Sequence, residues 1–228
     1  MSERPRVLVC DDEPHIVRAL KIVLREAGFE ALPAETAADA LQLATLQRPD
    51  AAILDLVLPD GDGVEVARSI REWSEMPIVV LSAVGDEDHK VRALEAGADD
   101  YVTKPFSPRE LVARLQAVLR RAAPQPGEPV ITADGLEVDL AARVVRRAGE
   151  ELHLTPIEFD LLRVLVRNRG RLLTHRALLQ EVWGPAYAED VATLRTSIAR
   201  LRRKIEPDGE PGPRYIRTDP GVGYRFSA

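Results

Sequence analysis

Asp11, Asp12, Asp55, Ser82 and Lys104 each stand at the carboxyl end of a short aliphatic run. "RVLVC" runs into Asp11 and Asp12, "AAIL" into Asp55 and "PIVVL" into Ser82, while "DYVTK" ends on Lys104 just before Pro105. An unpaired carboxylate is expensive to bury, so Asp55 must be neutralised, paired or left reachable for chemistry. Carboxylates grouped without His or Cys suit a hard cation such as Mg2+, which takes oxygen ligands and retains waters. A cation and Lys104 can together neutralise the oxygens of a phosphoryl group arriving on Asp55, with the carboxylate as nucleophile. Asp55 then reads as a phosphoryl acceptor.

These residues converge only if the strands that carry them lie side by side. Over residues 1–121 five aliphatic runs alternate strictly with five helical patterns, which predicts a five-stranded, doubly wound parallel sheet covered on both faces. Continuous apolar stretches such as "AAIL" fit strands buried on both sides. In such a sheet ligands bind at the carboxyl ends of strands, beside the point where strand order reverses. Gly28 and Gly97 mark expected helix ends, and Thr36 and Ser107 expected helix starts.

Three prolines and a glycine in "AAPQPGEP" (residues 122–129) read as a linker. Beyond it, residues 130–228 begin with short alternating segments that predict a small antiparallel sheet. Three helical patterns follow, the first two capped by Thr155 and Thr174, and then two strands around a Pro-Gly turn. The net charge of −6 hides an asymmetry: residues 1–123 hold 15 basic and 22 acidic residues (−7), and 124–228 hold 16 and 15 (+1). No apolar run is long enough for a membrane helix and no secretory signal is visible. The single cysteine, Cys10, reads as a buried structural thiol suited to a cytoplasmic protein.

"CDDEP", "ILDLVLPDGDG", "VLSA" and "GADDYVTKPF" resemble the receiver domain of two-component response regulators over the first 121 or so residues. The resemblance implies a flavodoxin-like receiver in which a sensor histidine kinase phosphorylates Asp55. It implies Mg2+ held by Asp11, Asp12, Asp55 and the carbonyl of Val57, with Lys104 on the phosphate across a cis bond to Pro105. Ser82 would be drawn to the phosphate, Tyr101 would follow it, and dimerisation would use reciprocal ion pairs. Those proposed are Lys90 with Glu110, Asp100 with Arg114, and Asp99 with Arg121.

In the last helical pattern Leu194, Ile198, Leu201 and Ile205 share one face, leaving Arg195, Thr196, Arg200, Arg202, Arg203 and Lys204 as candidates for DNA contact. The terminal hairpin would add Arg217 and Thr218. "LTPIEFDLL", "EVWG", "LRRKIE" and "GVGYRF" resemble the α+β winged helix-turn-helix domain of the OmpR/PhoB class, and further stretches look like the potassium-uptake (KdpE-type) subgroup. This implies a transcription regulator, dimeric when phosphorylated, that binds direct-repeat promoter DNA and meets RNA polymerase. One departure is the wing turn "TDPGVG", which has Asp219 and Pro220 where many relatives carry a basic residue. An enzyme reading, a phosphatase forming an aspartyl phosphate, fails because Val57 stands where the second Asp is needed. A calcium-loop reading of "DGDGVE" fails because Val64 and Glu65 replace required residues.

Overall fold

The computed structural model describes residues 4–83, 87–123, 127, 129–207 and 212–227, without the side chains of Glu87, Asp88 and Lys90. The chain divides into two units, Met1–Ala122 and Ala123–Ala228. The first runs β1 (Arg6–Cys10), α1 (Pro14–Glu26), β2 (Glu30–Ala34), α2 (Ala37–Gln47), β3 (Ala51–Asp55), a ribbon of β4 (Val57–Leu58) and β5 (Gly61–Asp62), α3 (Gly63–Arg71), β6 (Ile78–Ala83), α4 (Glu87–Ala96), β7 (Asp100–Lys104) and α5 (Pro108–Ala122). Five parallel strands pair in the order β2-β1-β3-β6-β7, so the order reverses between β1 and β3. The carboxyl ends of those two strands carry Asp11, Asp12 and Asp55, as the sheet rule requires.

Alternation along each strand feeds two cores. Val7, Val9, Ile53 and Leu81 pack against Leu20 of α1 and Leu111 and Leu115 of α5. Leu8, Cys10, Ala52 and Leu54 pack toward α2, α3 and α4 on the other face. Helix ends follow local chemistry: the Thr36 side chain accepts from Asp39 N, and the Ser107 hydroxyl accepts from Glu110 N at 3.0 Å. Helix α5 continues to Ala122, one residue into the segment read as linker.

The second unit opens with β8 (Val130–Ala133), β9 (Leu136–Asp139), β10 (Val144–Arg147) and β11 (Glu150–Leu152), an antiparallel sheet in the order β11-β10-β9-β8. Then come α6 (Pro156–Arg167), β12 (Leu172–Thr174), α7 (His175–Val182), a 3-10 turn at Pro185–Tyr187, α8 (Val191–Ile205), β13 (Ile216–Asp219) and β14 (Gly223–Phe226). Strand β12 was not foreseen and makes the terminal hairpin three-stranded, in the order β12-β14-β13. Gly223 permits this: a Cβ there would lie 1.9 Å from the Leu173 carbonyl oxygen. Thr155 and Glu158 form a reciprocal capping box at the start of α6. Among the described residues, no helix is long and apolar enough to cross a membrane.

Candidate phosphoacceptor site and nucleic-acid interface

Asp55 ends β3 opposite Leu81 of β6, and Lys104 ends β7 opposite Ala83, so parallel register brings them to one edge. Lys104 Nζ donates to Asp55 Oδ2 at 2.6 Å and to Asp11 Oδ2 at 2.8 Å, and lies 3.5 Å from Glu13 Oε1. The Lys104–Pro105 peptide bond is cis. Of the three possibilities open to Asp55, pairing is the one observed: only 8% of the residue is exposed, with Lys104 against its carboxylate. Asp11 is buried and also accepts from Glu13 N at 2.9 Å, whereas Asp12 is exposed.

Asp11, Asp12 and Asp55 offer carboxylate oxygens that all lie within 4.8 Å of one another. Their formal charge of −3 against +1 on Lys104 leaves −2. An all-oxygen donor set with residual negative charge fits a hard divalent cation. Burial pushes the Asp55 carboxyl above its ordinary range, opposed by its bond to Lys104 and reinforced by nearby Asp11. Burial also pulls the Lys104 ammonium down, but its bonds to Asp11 and Asp55 outweigh this and hold it above its usual value.

The "PDGDG" loop shapes the site through separate contacts. Asp60 accepts from Ala37 N and Ala38 N at 2.7 and 3.1 Å, closing the start of α2, and those bonds hold its carboxyl below the usual range. Asp62 accepts from Val64 N at 2.8 Å and starts α3. Gly63 donates its N–H to the Leu56 carbonyl and packs so close that a Cβ would lie 2.0 Å from the Asp55 carbonyl oxygen. Val57 N faces Asp55 Oδ1 at 3.4 Å, while the Val57 side chain is exposed. The role of this loop in seating two helices had no sequence signal beyond the Asp-X-Asp-Gly order.

Ser82 is buried one residue beyond the Leu81–Asp55 pairing, on the same edge. Tyr101, on β7, is half-buried against the core on the α2–α4 face. The charges assigned to a dimer surface are placed differently from expectation. Asp99 is 1% exposed and bonded within the chain to Arg71 at 2.8 Å and Ile78 N at 2.9 Å. Asp100 is buried too, and Arg114 meets it at 3.4 Å and Glu110 at 2.8 Å within one chain. Arg121 is also buried. The resemblance put these acids at a dimer surface, but Asp99 turns in to Arg71 of α3 and Asp100, the first residue of β7, to Arg114 of α5. Lys90 lies on α4, and its side chain falls outside the described residues.

In the second unit, Leu194, Ile198, Leu201 and Ile205 of α8 are buried as expected. Arg195 and Arg203 are exposed and Thr196 is half-buried on the opposite side, with Arg217 and Thr218 exposed on β13. Three other candidates are engaged in the fold. Arg200 is 6% exposed and pairs with the wholly buried Glu158 at 2.8 Å. Lys204 Nζ reaches Glu158 Oε2 at 2.7 Å and donates to the His153 carbonyl at 2.8 Å. Arg202 donates through Nε to the Ile216 carbonyl at 3.1 Å and through Nη2 to the Thr218 hydroxyl at 2.8 Å. A burial-paired cation is the ordinary way to satisfy an acid such as Glu158 inside a domain.

Residues 7–116 match the response regulator receiver domain family, and residues 149–226 match the family described as transcriptional regulatory protein, C terminal. The transcriptional regulatory protein KdpE of Mycobacterium tuberculosis is 50% identical over 97% of this chain and 99% of its own length. KdpE of Escherichia coli is 48% identical over 96% and 98%. The DNA-binding response regulator MtrA of Mycolicibacterium smegmatis is 44% identical over 97% and 96%. Among solved structures, a RitR variant superposes with a TM-score of 0.75 at 26% identity over 97% of this chain and 98% of that one. DrrB of Thermotoga maritima, described as an OmpR/PhoB homologue, gives 0.53 at 33% identity over 99% and 100%. With an acid pocket on one unit, a winged helix on the other and half its residues shared with such regulators from end to end, the chain belongs to the OmpR/PhoB family of DNA-binding two-component response regulators.

Proposed function

We propose that a sensor histidine kinase phosphorylates Asp55, and that the phosphorylated chain dimerises to bind direct-repeat promoter half-sites. The carrying observation is the contact of Lys104 with both Asp55 and Asp11 at the mouth of the parallel sheet. In the transfer, the N–P bond of the donor phosphohistidine breaks and a carboxylate oxygen of Asp55 forms the new O–P bond, with the electron pair leaving on the imidazole. Lys104 is placed to hold the incoming phosphoryl oxygens, a charge-assisted contact in a partly dry site. Asp11, Asp12, Asp55 and the Val57 carbonyl would hold Mg2+. Bound there, the ion supplies positive charge for the phosphoryl oxygens.

A protein donor needs a seat beside the acceptor. An apolar groove of about 480 Å³ lined by Ile16, Ala19, Leu20, Val23, Pro105 and Phe106 adjoins Lys104 and fits an apolar helix face of the kinase. Ser82 and Tyr101 relay the new charge from the pocket toward α4, β7 and α5, where Glu110 and Arg114, with Lys90, Asp99, Asp100 and Arg121 near them, form the proposed dimer surface. On α8, Arg195, Thr196 and Arg203 face DNA, joined by Arg217 and Thr218 on the wing. RNA polymerase is the downstream partner, the setting is cytoplasmic, and the likeness to two KdpE proteins supports control of potassium-transport genes. Radiolabelled acetyl phosphate tests the core of the reading. The wild-type chain acquires label at an alkali-labile acyl linkage and Asp55→Asn does not; label of that kind retained by the variant would contradict it.

A further inference from the structure

The guanidinium of Arg202 sits on the recognition helix yet spends its donors inside the unit. Nε and Nη2 both donate to the Ile216 carbonyl, Nη2 also donates to the Thr218 hydroxyl, and the group lies 5.7 Å from the ring centre of Tyr224. Ile216 and Thr218 belong to β13, and Tyr224 pairs with Thr218 across the hairpin. A single planar cation on α8 therefore touches both strands of the wing. Four residues on, Glu206 completes the junction: its carboxylate accepts the backbone N–H groups of Arg214, Tyr215 and Ile216 at 2.7 to 3.2 Å.

We propose that Arg202 is a positioning residue that sets the angle of the wing against α8, so that Arg203 on the helix and Arg217 on the wing grip one duplex together. This rests on the DNA-facing role of α8 given above. The chemistry favours arginine: its planar fork aligns two N–H donors on one carbonyl while its flat face lies near an aromatic ring, a combination an ammonium does not reproduce. A phosphate contact, in contrast, needs mainly a positive charge. Exposed Arg203, the next residue, makes no such internal contact among the described residues and supplies the comparison.

The experiment uses the full chain with Arg202→Lys, Arg202→Ala, Arg203→Ala and Arg217→Ala, and a duplex selected from a random pool by the wild-type chain. Two readouts are taken, amide hydrogen exchange of Arg217–Val222 and duplex affinity against salt. Positioning predicts that Arg202→Lys speeds wing exchange about tenfold and weakens binding nearly as much as Arg202→Ala. It also predicts that most of the cost of Arg202→Ala disappears in the Arg217→Ala background. Arg203→Ala leaves wing exchange unchanged and lowers the salt slope by about one. Rescue of binding by Arg202→Lys, with unchanged wing exchange and additive costs, would overturn the proposal and make Arg202 a phosphate contact. Failure of the wild-type chain to select any duplex would instead remove the DNA reading, and wing exchange would still decide the clamp.

Discussion

Two glycines of one loop separate the demands of the acceptor site. Gly63 has no room for a side chain, since its Cβ would strike the Asp55 carbonyl oxygen at 2.0 Å, Leu56 Cα at 2.9 Å and nothing flexible. Gly61, two residues earlier, would place a Cβ at an ordinary 3.5 Å from that of Ala37. Gly63→Ala must move the end of β3 or the start of α3, an overpacking cost of about 1 to 3 kcal/mol. Because the displaced atoms belong to Asp55, labelling by acetyl phosphate falls with stability. Gly61→Ala stays within about 0.5 kcal/mol of wild type and labels normally. Urea unfolding of both variants, with labelling measured alongside, checks this; equal behaviour of the pair would show that the loop tolerates a shifted β3 end.

Strand β7 carries a second test, because it buries an acid at its first residue. Burial pushes the Asp100 carboxyl up to about 6, against the pull of Arg114 and Arg121. Near pH 4 the group is largely protonated in the folded chain. Between about pH 4 and 6 the unfolded chain releases a proton that the fold retains, so this residue subtracts stability as pH rises and the loss is complete above 6. A shift from 3.8 to about 6 corresponds to a full loss of about 3 kcal/mol. Asp100→Asn lacks that loss, so its stability relative to wild type rises by roughly 2 kcal/mol from pH 4 to pH 7.5, the part of the loss that falls in that interval. Urea transitions of β6 and β7 amides followed by NMR measure it, and parallel pH curves for the two chains would contradict it. The same element shows where sequence stopped being informative. Alternating aliphatic runs named all five parallel strands and their carboxylate ends, because burial on two faces leaves a continuous apolar signature. Nothing in "GADDYVTK" says that both acids turn inward, since that depends on where Arg71 and Arg114 fall in space. On α8, spacing found the apolar face but not the stripe of Thr193, Ser197, Arg200 and Lys204 beside it, three of them buried and the last bonded to Glu158. Thr155 was legible as a helix cap, but nothing in "LTPIEF" discloses that Glu158 three residues on closes a capping box or that its carboxylate draws Arg200 and Lys204 of α8 to it. Strand β12 is three residues long and runs directly into α7, too short for a period of two to register.

Across the whole chain the charge balance constrains how phosphorylation can raise DNA affinity. Residues 1–123 carry −7 and residues 124–228 only +1. Replacing the Asp55 carboxylate by an acyl phosphate makes the receiver more negative by about one further charge at neutral pH. Attraction to a polyanion is weakened by that change, so under the proposed function the gain comes from joining two DNA-binding units rather than from charge. Each DNA-binding domain exposes Arg195 and Arg203 on α8 and Arg217 on the wing; as proposed phosphate contacts, these three would give a salt slope near about −3. Pairing two units on adjacent half-sites turns the second contact into an intramolecular one, worth about 100-fold or more, and carries the slope toward about −5. Chain treated with acetyl phosphate should therefore bind a duplex with two direct-repeat half-sites about 100-fold more tightly than untreated chain. On a duplex with one half-site, affinity and slope stay at the untreated values. Titrations of both duplexes between 50 and 200 mM salt, roughly the range over which counterion release is large, read the two quantities together. An equal gain on the single half-site would mean that phosphorylation acts within one chain, by freeing the α8 face, and the dimer would no longer be needed to explain activation.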